Sequence, residues 1–171
     1  MSKLQIAQHQ QQTGDANKIL SAVGHPGMRE KLGNAIDSYV DVKLTAAQLD
    51  ALNATPVTLI AAPGSGKVTV VTKVFGFLDY GTATYAGSSQ VLKINYTDGS
   101  GATVATFLEA FGEATADKYE APAIADCYPV ANAAIVAATN ADWTTGDSVI
   151  YLRIHYHVVD LADLATAAAG T

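Results

Sequence analysis

From Ile150 to Val159 the chain alternates strictly. Ile150, Leu152, Ile154, Tyr156 and Val158 fall on one side, and Tyr151, Arg153, His155, His157 and Val159 on the other. Successive side chains of a strand point to opposite faces, so this run is a long β-strand with one face toward a core. Such a strand needs partners for its backbone, which commits the chain to sheets. Leu92, Ile94 and Tyr96 alternate with Lys93, Asn95 and Thr97 in the same way. Val57 to Ala61, the β-branched run from Lys67 onward, and Tyr128 to Thr139 read as further strands. Within the Lys67 run, Val71, Phe75 and Phe77 interleave with Val70, Val74 and Leu78, a pattern of burial on both faces. Pro63 to Gly66, Thr97 to Gly101 and Thr144 to Ser148 are turns. Many short strands with few helices predict a mainly β protein, a β-sandwich or jelly roll. The spacing of Val104, Phe107, Leu108 and Phe111 predicts one short helix crossing an end of the sheets.

The segment APGSGK, Ala62 to Lys67, approaches a phosphate-binding loop without being one. That loop requires G-x-x-x-x-G-K-[ST] opening a helix. Here Ala61 stands where the first glycine belongs, Val68 replaces the hydroxyl residue, and V-T-V-V-T-K-V continues as a strand. The reading is therefore strand, turn and returning strand. Residues 1–56 carry five basic and five acidic groups, whereas residues 57–171 carry five basic and eleven acidic. An acidic body repels phosphate backbones, so nucleic acid is not an expected partner. Cys127 is the only cysteine, which excludes an intrachain disulfide and suits a buried thiol. The N-terminus has no apolar signal region and no apolar stretch approaches eighteen residues, so synthesis in a cytoplasm and no membrane association are expected.

Four zones follow. Residues 1–43 form a helical N-terminal arm. Asp15 caps a first short helix with Ile19, Leu20 and Val23 along one side, and His25-Pro26-Gly27 ends it. A second amphipathic stretch runs through Met28, Leu32, Ile36 and Tyr39. These stripes are too small to fold alone, so Ile19, Leu20, Val23, Met28, Leu32 and Ile36 are candidate contacts to a capsid or a sister subunit. Residues 44–56 are a linker helix, with Thr45 as N-cap and Pro56 beyond its end. Residues 57–162 are the β-sandwich domain, and residues 163–171 a flexible tail.

Three segments, LTAAQLDALNATPVTLIAAPGSGKVTVV (Leu44 to Val71), LDYGTATYAG (Leu78 to Gly87) and GDSVIYLRIHYHVVDLA (Gly146 to Ala162), resemble a recurrent kind of small virion protein of tailed bacteriophages. The resemblance covers the linker helix and most of the β-body, and leaves residues 1–43 outside it. It implies a jelly-roll-like body assembled as a homotrimer. The implied role is non-enzymatic: capsid cement or decoration, on the capsid surface of a virion, with the major capsid protein as partner. The alternative it carries is a fibre- or tail-associated receptor- or carbohydrate-binding module.

His155 and His157 are the candidate metal ligands, since residues i and i+2 of a strand share a face and a three-fold axis would gather six imidazoles. Histidines simply facing solvent beside Arg153 and Tyr151 are the plainer reading. No cofactor is expected. Glu109 and Glu113 stand four apart, a spacing that puts a hydrolase-like pair on one helix face, but read as a solvated acidic face. Asp98 to Gly101 lacks the ligand spacing of a calcium loop and reads as a turn. Tyr80, Tyr85, Tyr96, Tyr119 and Trp143 would stack on sugars if exposed and serve as packing residues if not.

Overall fold

The computed structural model describes residues 38–87, 89–126 and 129–163. Among the described residues, eight strands make two four-stranded antiparallel sheets. Sheet A has the order β1 (Ser38–Leu44), β8 (Val149–Asp160), β3 (Lys67–Asp79), β6 (Lys118–Glu120). Sheet B has the order β2 (Val57–Ile60), β7 (Ile135–Thr139), β4 (Leu92–Tyr96), β5 (Thr103–Thr106). The pairs β1·β8, β2·β7, β3·β6 and β4·β5 nest inside one another, as in one long hairpin wrapped over upon itself. The mainly β expectation holds, with the two sheets enclosing a shared core.

β8 behaves as its alternation predicts: Ile150, Leu152 and Ile154 are buried, while Tyr151 and Arg153 are exposed. Sheet B likewise turns Leu92, Ile94 and Tyr96 inward opposite Thr139, Ala137 and Ile135. Between the sheets lie Trp143, Tyr85, Tyr96, Phe107 and Phe111, all fully buried. Two of these carry hydroxyls, and each finds a backbone carbonyl. Tyr96 donates to Thr69 at 2.7 Å and Tyr85 to Ser148 at 2.6 Å. Gly76 sits where β3 passes the Phe107 and Phe111 rings; a Cβ there would lie 2.5 Å from Phe107 Cε1.

Short helices close the ends. In α1 (Ala46–Asp50) the Thr45 hydroxyl accepts from the Gln48 N–H, and Gln48 Oε1 accepts from the Thr45 N–H at 2.9 Å. This reciprocal cap is the one the sequence places at Thr45. α2 spans only Glu109–Gly112. Val104 belongs to β5 instead of the helix, and Leu108 is 69% exposed while Phe107 and Phe111 are buried. A helix-like spacing of apolar residues has here been met by a strand, a corner and a single turn.

Three more expectations change. Ser38–Leu44, read as the end of the helical arm and, at Leu44, the start of the linker helix, is the edge strand β1; its alternating Tyr39, Asp41 and Lys43 against Val40, Val42 and Leu44 fit a strand. The segment after Ile60 does not return beside β2, because β2 pairs with β7 in sheet B and β3 lies in sheet A. Gly64 and Gly66 have φ of 99° and 74°, conformations that suit glycine, and the loop carries the chain from one sheet to the other. The strand read from Tyr128 is shorter, beginning at Ile135, and Asn132 takes a left-handed φ of 51° ahead of it. The arm contacts Ile19, Leu20, Val23, Met28, Leu32 and Ile36, Cys127, and the tail beyond residue 163 lie outside the described residues.

Candidate assembly surface

The two sheets differ in what covers their outer faces. In sheet B, Val136 and Ala138 of β7 and Asn95 of β4 point away from the core, yet all are at most 3% exposed. Gly99 of the β4–β5 turn lies against Pro56 and Ala138 and helps close that side. The outer face of sheet A is open. Four large apolar side chains on it are exposed: Tyr39, Phe75, Tyr119 and Tyr151.

Strand register sorts this face into rows. Lys43, Tyr151, Phe77 and Tyr119 are cross-strand neighbours in one row across all four strands. Asp41, Arg153 and Phe75 form the next, and Tyr39, His155 and Lys73 the one after. Within the first row the Lys43 ammonium lies 5.5 Å from the Tyr151 ring centroid. Tyr151 and Phe77 stack at 6.1 Å, and Phe77 and Tyr119 at 4.7 Å with 16° between planes. Phe75 also reaches Tyr119, at 6.0 Å. The rings thus stand side by side in one connected aromatic row.

Arg153 organises the second row. Its Nε and Nη2 each donate to one oxygen of Asp41 at 2.7 Å, a bidentate pair. The guanidinium also lies 4.7 Å from the Tyr39 ring centroid. The Arg153 hydrogen bond holds the Asp41 carboxyl below its usual range, and the same contact raises Arg153. Beside these rows lies an open depression of about 430 Å³ bounded by Asp41, Lys43, Phe75, Phe77, Tyr151 and Arg153 among others.

The bulge between Val71 and Lys73 explains why β3 does not follow its simple alternation. Before it Val71 faces inward opposite Tyr156; after it Val74 and Leu78 do, and Phe75 and Phe77 turn outward. Phe75 and Phe77 therefore join the open face, while Val71 stays in the core.

His155 and His157 share this outer face, as the sequence predicts. His155 packs on Tyr39 at 5.8 Å and pairs with Lys73, and His157 pairs with Val70. Among the described residues no group of three or more His, Cys, Asp or Glu side chains is gathered as a metal site. The carboxylates hold backbone instead. Glu109 accepts from the Ser89 N–H at 2.6 Å, Glu120 from Leu108 at 2.7 Å, and Asp117 from Tyr80 at 3.0 Å. Asp98 accepts from Ser100 and closes its turn. Tyr85, Tyr96 and Trp143 are packing residues, and Tyr119 alone of the five aromatics is a large exposed one. Sequence reading missed Tyr39, Asp41, Lys43, Phe75 and Phe77 as surface residues. The signal was the alternation of Ser38–Leu44, obscured by counting Tyr39 in a helical stripe.

No family model and no curated protein matches this chain. Solved structures with some similarity to this chain include a chain of the acidic stable capsid structure of Helicobacter pylori bacteriophage KHP30, 18% identical with a TM-score of 0.45, covering 72% of this chain and 91% of that one. A chain of the cyanophage Pam1 capsid asymmetric unit is also 18% identical with a TM-score of 0.44, covering 71% of this chain and 83% of that one.

Proposed function

We propose that this chain is a non-enzymatic virion structural protein that decorates or cements the capsid of a tailed bacteriophage. The observation that carries the reading is the open aromatic face of sheet A, where Tyr39, Phe75, Tyr119 and Tyr151 are exposed and rings stack across strands. A connected exposed apolar surface marks a contact with another macromolecule. Its content of Tyr, Phe and Arg is that of interface cores. The three segments resembling small phage virion proteins supply the biological setting, and the nested strand pairing supports a jelly-roll body. In this reading the β-bodies associate as trimers on the capsid surface, and the segment ahead of β1, residues 1–37, fastens them to the major capsid protein. The work is done by binding energy.

A fibre- or tail-associated sugar-binding module needs free ring faces for stacking. Here the exposed rings of Tyr151, Phe75 and Tyr119 stand beside the Arg153–Asp41 pair in one broad connected face, which favours a protein contact.

Cryo-electron microscopy of the phage that encodes the chain tests the proposal. Density for the β-body at regular positions on the capsid exterior is the expected result. Density confined to the tail or to projecting fibres overturns it in favour of the attachment reading.

A further inference from the structure

Strand register lays the middle of the outer face of sheet A out as a square, three rows on three strands. From β1 through β8 to β3 the rows are Lys43–Tyr151–Phe77, Asp41–Arg153–Phe75 and Tyr39–His155–Lys73. The lysines and the arginine of this square occupy one diagonal, with Lys43 on β1, Arg153 on β8 and Lys73 on β3. At roughly 3.4 Å per residue along a strand and roughly 4.8 Å between strands, the diagonal is about 16 Å long. On one side of it lie Tyr151, Phe77 and Phe75, the aromatic part of the open depression that Lys43 and Arg153 also line.

Asp41 is the only carboxylate of the square, and Arg153 holds it. Their contact is the one ion pair among the described residues, so Lys43 and Lys73 are exposed cations with no carboxylate partner there. The Lys43 ammonium rests near the Tyr151 ring instead. Arg153 spends Nε and Nη2 on Asp41, which leaves its Nη1 donors for another acceptor. This excess of positive charge stands on a body of the opposite sign, since residues 57–171 carry five basic and eleven acidic groups. A patch of that kind selects its partner by complementary potential.

We propose that this diagonal docks an acidic amphipathic helix of a protein partner, with carboxylates over Lys43, Arg153 and Lys73 and an apolar stripe over Tyr151, Phe77 and Phe75. A helix presents two neighbouring stripes on one side, whereas an extended segment presents a single line of alternate residues. Three turns of helix, at roughly 5.4 Å each, span the diagonal. The Asp41 carboxylate beside it and the acidic body both oppose a continuous phosphate backbone, which favours a polypeptide over nucleic acid. The inference rests on the structural role proposed above and names the chemistry of the partner.

Fluorescence anisotropy of a labelled helical peptide, titrated with the full chain, provides the test. The probe has about eighteen residues, long enough to hold a helix, with glutamate at every fourth position beside a leucine stripe. Saturable binding that salt weakens is the expected result. Replacing the glutamates by glutamine, or introducing Lys43→Glu or Lys73→Glu, should each weaken it about tenfold, with melting temperatures close to wild type. Lys93→Glu changes net charge equally but lies on sheet B, and should leave binding unchanged. Tyr151→Ser should weaken the glutamate and glutamine peptides alike. Absence of binding, indifference to the glutamates, or an equal loss in Lys93→Glu overturns the proposal. So does an oligothymidylate or a sialylated glycan that binds through Lys43 and Lys73 while the peptide does not. Co-sedimentation with phage particles lacking this chain separates the inference from the role beneath it. Particle binding untouched by Lys43→Glu and Lys73→Glu removes only the acidic docking. A chain that takes the peptide and no particle removes only the capsid role.

Discussion

Arg153 and Asp41 meet across the β1–β8 ladder with two parallel 2.7 Å hydrogen bonds, so the edge strand and the strand beside it are locked on their solvent side as well as through backbone. Both side chains are about half exposed, and exposed ion pairs contribute little to global stability. Their role is to fix the guanidinium against Tyr39. Arg153→Asp is expected to leave the melting temperature nearly unchanged and to weaken binding of the acidic helix. Adding Asp41→Arg should recover part of it. Paired melting and anisotropy experiments check this, and a large loss of melting temperature in the single variant contradicts it.

Gly76→Ala places a methyl group against Phe107 and Phe111 in a filled core. Overpacking of this kind costs about 1–3 kcal/mol. The expected outcome is a lower urea midpoint, partly restored by Phe107→Leu, with an unchanged slope of the transition.

Trp143 stacks on Tyr85 at 5.3 Å and is 1% exposed. Trp143→Ala should lose about 3–5 kcal/mol, in the range of large-to-small aromatic truncations. Removing the 39% exposed Tyr151 side chain should cost far less. Equilibrium unfolding of the two variants gives the comparison.

Acid sensitivity should centre on the loop held by Asp147. Its carboxylate accepts from the Thr82 hydroxyl and from the Thr82 and Ala83 N–H groups, and these bonds lower its pKa, the Thr82 hydroxyl most. A carboxyl whose pKa is depressed by folding stabilises above its unfolded value, near about 3.9, and that contribution is lost as pH falls through the folded value. Asp147→Asn should therefore lower the melting temperature at neutral pH, and the gap from wild type should narrow as the pH drops below about 4. A gap independent of pH contradicts the assignment.

Lys67 begins β3, and no helix follows it. Addition of ATP and magnesium is expected to leave the melting temperature of wild type and Lys67→Ala unchanged. A nucleotide-dependent shift abolished by that substitution would restore the phosphate-binding reading.

The parts of the fold legible in the sequence were those where burial follows a strict period. β8 and β4 alternate cleanly because each has one face in the core, and Thr45 announces α1 because its cap is local. What was not legible depended on distant partners. Val104 and Phe107 mimic a helical stripe, but pairing with β4 draws Val104 into a strand. β3 changes face at a bulge, which no alternation rule announces, so Phe75 and Phe77 were grouped with the buried Val71. The candidate surface shared this fate. The alternation of β8 by itself puts His155 and His157 on the outer face, whereas Tyr39, Asp41 and Lys43 join that face only through the pairing of β1 with β8.

The antiparallel pairing of β1 with β8 also fixes how this body answers to mechanical load. Ser38 pairs with Tyr156, so the chain enters at the same end of the ladder from which β8 runs on to Asp160. Tension that separates these two ends opens the ladder one rung at a time, as a zip opens. Tension on Ser38 directed along the strand, against a body held by its sheet face, meets all seven register pairs in shear at once. The direction of pull, more than the number of bonds, would set the force at which the sandwich yields.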